Sequence, residues 1–292
     1  MNLELSWGRL RRAYLRLFWS GYLKRMESLR IGECPNCPHV ILDPRDLKYW
    51  RNVCGYSFHQ EHDPFHWRNE LGFARVGLTE VVLISAVCLS VLVFALMAVN
   101  LIHSIFWLLA IVATVPWLFT LWFFRDPDRD IPADADGLLS PADGTVTHVD
   151  EVSEPDFPDG RAVRISIFLA VWDVHVNRIP RTGRIVALRY FPGEFLDARK
   201  DESSVRNEQF WVDLEENGTP HRIRIKQISG AIARRIVNWL KPEEPVFAGD
   251  RFGMIKYGSR TEVLVPAEAV REVVVKVGDK VYGGSTILLR MT

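Results

Sequence analysis

From Val76 to Phe124 the chain is almost continuously apolar, and this run limits what the rest can be. A membrane-crossing helix takes about 20 apolar residues, and the run is roughly twice that. It has a polar break at Asn100, His103 and Ser104. Two spans, about 77 to 99 and about 104 to 124, joined by a very short turn, fit it best. Segments such as Val81 to Val99 lack a polar face, which argues against a buried helix pair in a water-soluble protein. Arg68 and Arg75 precede the run and Arg125 and Arg129 follow it, while the turn has no basic residue. The positive-inside bias therefore puts both ends in the cytoplasm. The expectation is a transmembrane hairpin in the inner or cell membrane, anchoring a cytoplasmic catalytic domain.

Lysine and arginine number 36, and so do aspartate and glutamate, so the net charge is zero. A whole-chain electrostatic footprint for nucleic acid is absent. The first thirty residues are biased, however, with Arg9, Arg11, Arg12, Arg16, Lys24, Arg25 and Arg30 against Glu4 and Glu27. Residues 1–30 read as an amphipathic N-terminal helix. Leu3, Trp7, Leu10, Tyr14, Leu17 and Phe18 recur at roughly helical spacing, and Gly21 weakens the middle. Such a helix could lie on an anionic membrane face or pack on the protein's own surface.

Residues 31–75 are rich in Cys, His, Pro and Trp. Cys34-Pro-Asn-Cys37 resembles one knuckle of a zinc ribbon; the second, at Cys54, lacks its partner cysteine. His59 and His62 lie within reach of Cys54 in sequence. A structural zinc held by Cys34, Cys37, Cys54 and His59 has plausible spacing. Ordinary thiols in a reducing compartment are the alternative. Cys88 sits inside the apolar run, and the four cysteines do not make a secreted disulfide framework.

Past Pro127 the character changes. Short β-like runs at 164–170, 183–190, 221–228, 261–265 and 272–277 are separated by Gly, Pro and Asp, and one stretch, 230–240, looks helical. The expectation is a mostly β (α+β) domain. Val277-Gly-Asp-Lys-Val-Tyr282 adds a turn-then-strand pattern like that of biotinyl and lipoyl-like β-sandwich or barrel domains.

The segment richest in chemistry is Gly253-Met-Ile-Lys-Tyr-Gly-Ser-Arg-Thr-Glu262. A Gly-Ser pair entering a β-run is by itself a turn. Its company changes the reading: Ser140-Pro-Ala-Asp-Gly144, Trp172-Asp-Val-His-Val-Asn-Arg-Ile-Pro180, Asn207-Glu208 and Gln227-Ile-Ser-Gly-Ala-Ile-Ala-Arg-Arg235 all lie upstream. In order and wording these segments resemble the short form of the phosphatidylserine decarboxylase proenzymes, over roughly 125–292. The resemblance implies self-cleavage between Gly258 and Ser259 into a β chain, 1–258, and an α chain, 259–292. Ser259 would become an N-terminal pyruvoyl group that forms a Schiff base with phosphatidylserine and releases CO2. It also suggests catalytic roles for His175 and Asp143, and the expected assembly is a homo-oligomer in contact with membrane lipid. The long form of the family carries a second histidine where this chain has Arg178, which leaves that histidine's work unassigned.

Serine needs a base to become a nucleophile. His175 oriented by Asp143 is the familiar arrangement for that, and glycine at 258 allows the unusual backbone angles an attack on its carbonyl requires. Gly283-Gly-Ser-Thr286 is a second, weaker cleavage wording, without a glycine five residues upstream. Arg234 and Arg235 could meet a phosphate or carboxylate, or be a solvated pair. A membrane adaptor with a lipoyl-like domain, and a decarboxylase of a related serine-headed lipid, are the competing readings.

Overall fold

A computed structural model describes residues 2–35, 37, 40–49, 52–216, 218, 221–233, 235–256 and 258–292. Arg234, flagged from the sequence, lies outside the described residues. The backbone divides into two compact units.

The first unit comprises residues 1–70 with Trp239–Lys241. The helix expected over 3–29 is two helices, α1 (Asn2–Phe18) and α2 (Ser20–Leu29), broken at Trp19, just before Gly21. Two arginines of α1, Arg11 and Arg12, turn inward, while Arg9 and Arg16 stay exposed. Arg11 reaches Asp43 at 3.0 Å and Arg12 reaches Asp46 at 3.1 Å, and both carboxylates are buried. Trp7, Leu10, Leu17 and Phe18 are left exposed. The segment after α2 is irregular and closes over a small core of Ile41, Leu47 and Cys54.

The second unit comprises residues 71–238 and 242–292. It opens with α3 (Leu78–Leu101) and α4 (Phe106–Phe123), both long and apolar enough to cross a membrane. Ala95, Ala98, Ala110 and Ala113 are buried, because small side chains let two helices approach closely. Trp117 donates to Ser85 across the pair at 2.9 Å. Val87, Phe94, Trp107, Ile111 and Val115 are exposed, so the hairpin is apolar on its outside as well.

The remainder is mostly β: β1 (Gly137–Leu139), β2 (Gly144–Ser153), β3 (Arg161–Leu169), β4 (Val176–Arg178), β5 (Gly183–Phe191), β6 (Gln209–Glu216), β7 (Arg222–Ser229), β8 (Arg235–Asn238), β9 (Pro245–Val246), β10 (Arg251–Lys256), β11 (Ser259–Pro266), β12 (Val270–Val273), β13 (Lys280–Val281) and β14 (Ile287–Met291). An eight-stranded sheet runs β13-β2-β3-β11-β7-β6-β5-β9, and two three-stranded sheets run β4-β10-β8 and β1-β14-β12. The stretch 230–240, expected to be helical, instead holds β8. Ile236 and Val237 are β-branched and pair with Ile255 and Met254 of β10.

Period-two alternation gives β11 two unlike faces. Thr261 shares the Ser259 face and accepts a hydrogen bond from Asn177 of β4 at 3.2 Å. Asn177 in turn accepts from Gln227 at 2.8 Å, and Gln227 accepts from Asn238 at 3.2 Å. All four are buried, so this polar chain ties the small sheet to the large one. Gly253 makes room for it: a Cβ there would lie 2.7 Å from Gln227 Nε2 and 2.8 Å from the Val237 carbonyl. The ends of the hairpin enter the same structure. Phe123 and Phe124 are buried with Val81, Val174, Val176 and Met254, and Lys256 of β10 pairs with Glu80 of α3. Gly253→Ala should destabilise this unit by about 1–3 kcal/mol through the forced shift of Gln227. Thermal unfolding in detergent measures it; an unchanged Tm would contradict the account.

Candidate active site

Ser259 opens β11, with Leu169 of β3 on one side and Ser229 of β7 on the other. This double pairing fixes its backbone and buries its side chain completely. Its hydroxyl finds no hydrogen-bond partner among the described residues. A buried hydroxyl left unpaired costs about 1–3 kcal/mol, so its retention points to use. Gly258 before it has φ +57°, a left-handed conformation that glycine adopts without strain. Gly230, at the end of β7, lies under the Gly258 carbonyl. A Cβ on Gly230 would meet that oxygen at 2.5 Å.

His175 stands over this peptide. Its Nδ1 lies 2.9 Å from the Asp173 carbonyl oxygen, and its Nε2 accepts from the Gly258 amide at 3.2 Å. A carbonyl only accepts and an amide N–H only donates, so the proton sits on Nδ1 and the lone pair of Nε2 faces the Gly258 N–H, one peptide before the Gly-Ser bond. The Phe123 ring lies 4.5 Å from the imidazole, centre to centre, and His175 is wholly buried. Burial, with the nearby Arg125 charge as a smaller cause, lowers its pKa from 6.5 to about 4. The ring is a neutral base poised one residue from an unpaired hydroxyl.

Asp143 does not orient that ring. Its carboxylate takes two hydrogen bonds from Arg129, at 2.7 and 2.9 Å, and one from the Gly283 amide at 2.8 Å. Burial raises its pKa, and Arg129 and the Gly283 amide work against that. The Asp173 carbonyl does the orienting that the sequence suggested for Asp143. The Asp173 carboxylate caps the Ala170 amide at 3.0 Å and pairs with Lys280 at 2.6 Å, which holds the 170–175 loop. Arg178 binds Asp126 at 2.9 Å and the Gly249 carbonyl at 3.1 Å. Alternation along β4 sends Arg178 to the face opposite Asn177, so it serves packing in the position of the second histidine. Ser285 lies in a turn that Thr286 closes onto the Tyr282 carbonyl at 3.0 Å.

The first unit gathers Cys34, Cys37 and Cys54, whose sulfurs lie within 4.8 Å of one another. Cys34 and Cys37 are bonded as a disulfide, and Cys37 Sγ is 3.0 Å from Cys54 Sγ. His59 is exposed and stands outside this cluster, against the ring of His62 at 5.6 Å. Three of the four expected donors come together, and the fourth does not.

Sequence reasoning missed Asp173, Phe123 and Gly230. Asp173 acts through its carbonyl, which any residue has. Phe123 reads as one more apolar residue of the run. Gly230 adjoins the Gln-Ile-Ser segment, but its meaning lies in a cross-strand approach.

A family model described as phosphatidylserine decarboxylase matches residues 117–289. A phosphatidylserine decarboxylase proenzyme of Rhodopirellula baltica is 42% identical over 245 residues, covering 84% of this chain and 98% of that protein. Proteins of the same name from Symbiobacterium thermophilum and Carboxydothermus hydrogenoformans are each 44% identical, covering 63% and 64% of this chain and 85% of each relative.

The imidazole makes a direct prediction. A group whose folded pKa is depressed favours the fold above its unfolded pKa, and that contribution is lost as pH falls. Stability should therefore decline as pH drops from 6.5 towards about 4. In histidine-labelled protein, the resonance missing from His175→Gln should titrate near pH 4; titration near 6.5 would contradict this site.

Proposed function

The chain belongs to the phosphatidylserine decarboxylase family, and from that membership we propose that it converts phosphatidylserine to phosphatidylethanolamine and CO2, using a pyruvoyl group made from its own Ser259. The observation that carries this reading is the buried Ser259 hydroxyl, without a hydrogen-bond partner among the described residues, one residue from the Gly258 amide that donates to Nε2 of a neutral His175.

His175 Nε2 takes the hydroxyl proton, and Ser259 Oγ attacks the Gly258 carbonyl carbon. The Gly258–Ser259 C–N bond breaks, the nitrogen takes the proton, and an ester replaces the amide. Loss of the Ser259 α proton then expels the Gly258 carboxylate and leaves a dehydroalanine. Water replaces its nitrogen, which departs as ammonia. The α chain stays in place because β11 is paired on both sides, β13 is paired to β2, and β14 to β1.

Once formed, the pyruvoyl group supplies an electron sink as CO2 leaves. Its fit here is supported by its origin at the buried head of β11. The α carbon needs one proton in place of the departed CO2; His175, oriented through Nδ1 by the Asp173 carbonyl, would take that proton from water at Nε2 and pass it on. Asp143 acts as a positioning residue through Arg129 and Gly283.

The hairpin α3–α4 crosses the membrane in this reading, with both ends cytoplasmic. Arginines at 68, 75, 125 and 129 and none in the turn support that side. A finer likeness to lipoyl-like domains rests on the Val277–Tyr282 pattern alone. Zinc at Cys34, Cys37 and Cys54 is supported by three clustered sulfurs. It requires those cysteines as thiolates, so zinc and the Cys34–Cys37 disulfide exclude each other.

Purified full-length protein in phosphatidylserine vesicles should release CO2 and accumulate phosphatidylethanolamine, and Ser259→Ala should do neither while remaining one uncut chain. A cut Ser259→Ala chain would move the cleavage elsewhere, and a fully cut parent without product would refute the substrate. Metal analysis of the full chain purified under reducing conditions should find about one zinc per chain; none would retire the metal.

A further inference from the structure

Arg125 lies two residues past the C-terminal end of α4 and is held without a carboxylate. Its Nη1 donates to the Trp122 carbonyl at 2.7 Å and its Nη2 to the Trp172 carbonyl at 2.8 Å. The guanidinium lies over the Trp122 ring at 4.0 Å, and Trp122 Nε1 also donates to the Trp172 carbonyl at 3.0 Å. Two of the five guanidinium N–H groups are thus used, and three have no hydrogen-bond partner among the described residues. Its neighbours differ. Arg129 is paired with Asp143, and Arg178 and Arg251 with Asp126. Arg125 makes no ion pair among the described residues.

Three features bring this cation to the reacting centre. Phe123, two residues before it, packs on the His175 ring. Trp172, whose carbonyl it holds, lies three residues before His175. Its charge is also felt at that imidazole. Trp122 and Trp172 are both more than half exposed, at 54% and 64%. Rings with an apolar body and a polar edge favour the headgroup level of a bilayer.

We propose that Arg125 binds the phosphodiester of the lipid headgroup, so that the membrane hairpin supplies part of the substrate site. This rests on the decarboxylase reading above. In a serine headgroup only one methylene separates the phosphate ester oxygen from the carbon that bears the amine and carboxylate. A group that reads the phosphate must therefore stand beside the group that reacts. Guanidinium presents a planar fork suited to a phosphate's oxygens. The substrate carboxylate is the wrong partner. A cation there would stabilise the charge that must leave as neutral CO2, favouring the ground state over the transition state.

The test uses the full-length chain with Arg125→Ala and Arg125→Lys, with rates counted per mole of cleaved protein. Three substrates separate the possibilities: phosphatidylserine in vesicles, soluble glycerophosphoserine, and phosphate-free O-hexadecylserine. Arg125→Ala should raise KM roughly tenfold or more for both phosphodiesters, the loss expected for a charged hydrogen bond. Arg125→Lys should fall between it and the parent. The penalty should shrink markedly on O-hexadecylserine. A loss confined to vesicles would assign Arg125 to the bilayer surface, and an equal loss on all three would make it a support for His175. Either outcome overturns the proposal. A cleaved parent inactive on all three would overturn the decarboxylase reading itself, and the phosphate site with it.

Discussion

A hydroxyl buried without a partner is the constraint around which this structure is arranged. Ser259 is paired on both sides by its backbone, and its side chain has no hydrogen-bond partner among the described residues. Folding against that cost requires a rigid surround, and the surround is specific. β3 and β7 clamp the strand, and the Thr261–Asn177–Gln227–Asn238 chain fastens the small sheet across it. That small sheet in turn follows directly from the loop that carries His175, through β4. His175 is thus positioned by the same polar chain that immobilises the strand opened by Ser259.

The apolar hairpin and the β-sheets meet in one core. Phe123 and Phe124 end the second apolar helix and are buried against Val174, Val176 and Met254, one residue from His175 on one side and five residues from Ser259 on the other. Gly77 contributes at the start of the first helix, where a Cβ would collide with the Phe124 ring at 2.0 Å. Sharing a core places the imidazole at the end of the second apolar helix without a flexible linker.

The apolar run from 76 to 124 and the β-runs after Pro127 were legible because each rests on local periodicity. The family was legible because five segments kept one order. What escaped was long-range. The stretch 230–240 resembles a helix until Ile236 and Val237 find β10. Asp143 resembles the orienting acid of a triad until its carboxylate is seen on Arg129 and Gly283, with the Asp173 backbone doing that work. Arg178 offers a charge where a histidine was sought, and the strand's alternation turns it to Asp126. His59 has the right spacing for a metal and the wrong place. Each miss is a residue whose role depends on partners brought by the fold, or on a main-chain atom that no side-chain pattern encodes.

The proposed chemistry requires the chain to cut itself at Gly258 and to turn Ser259 into a ketone. Intact mass spectrometry of the purified full-length protein reads this directly. The account predicts two species, 1–258 and 259–292, the smaller lighter than its sequence mass by one ammonia and blocked to sequencing from its N-terminus. A single species with the mass of the uncut chain, or a small piece carrying an ordinary N-terminal serine, would contradict it.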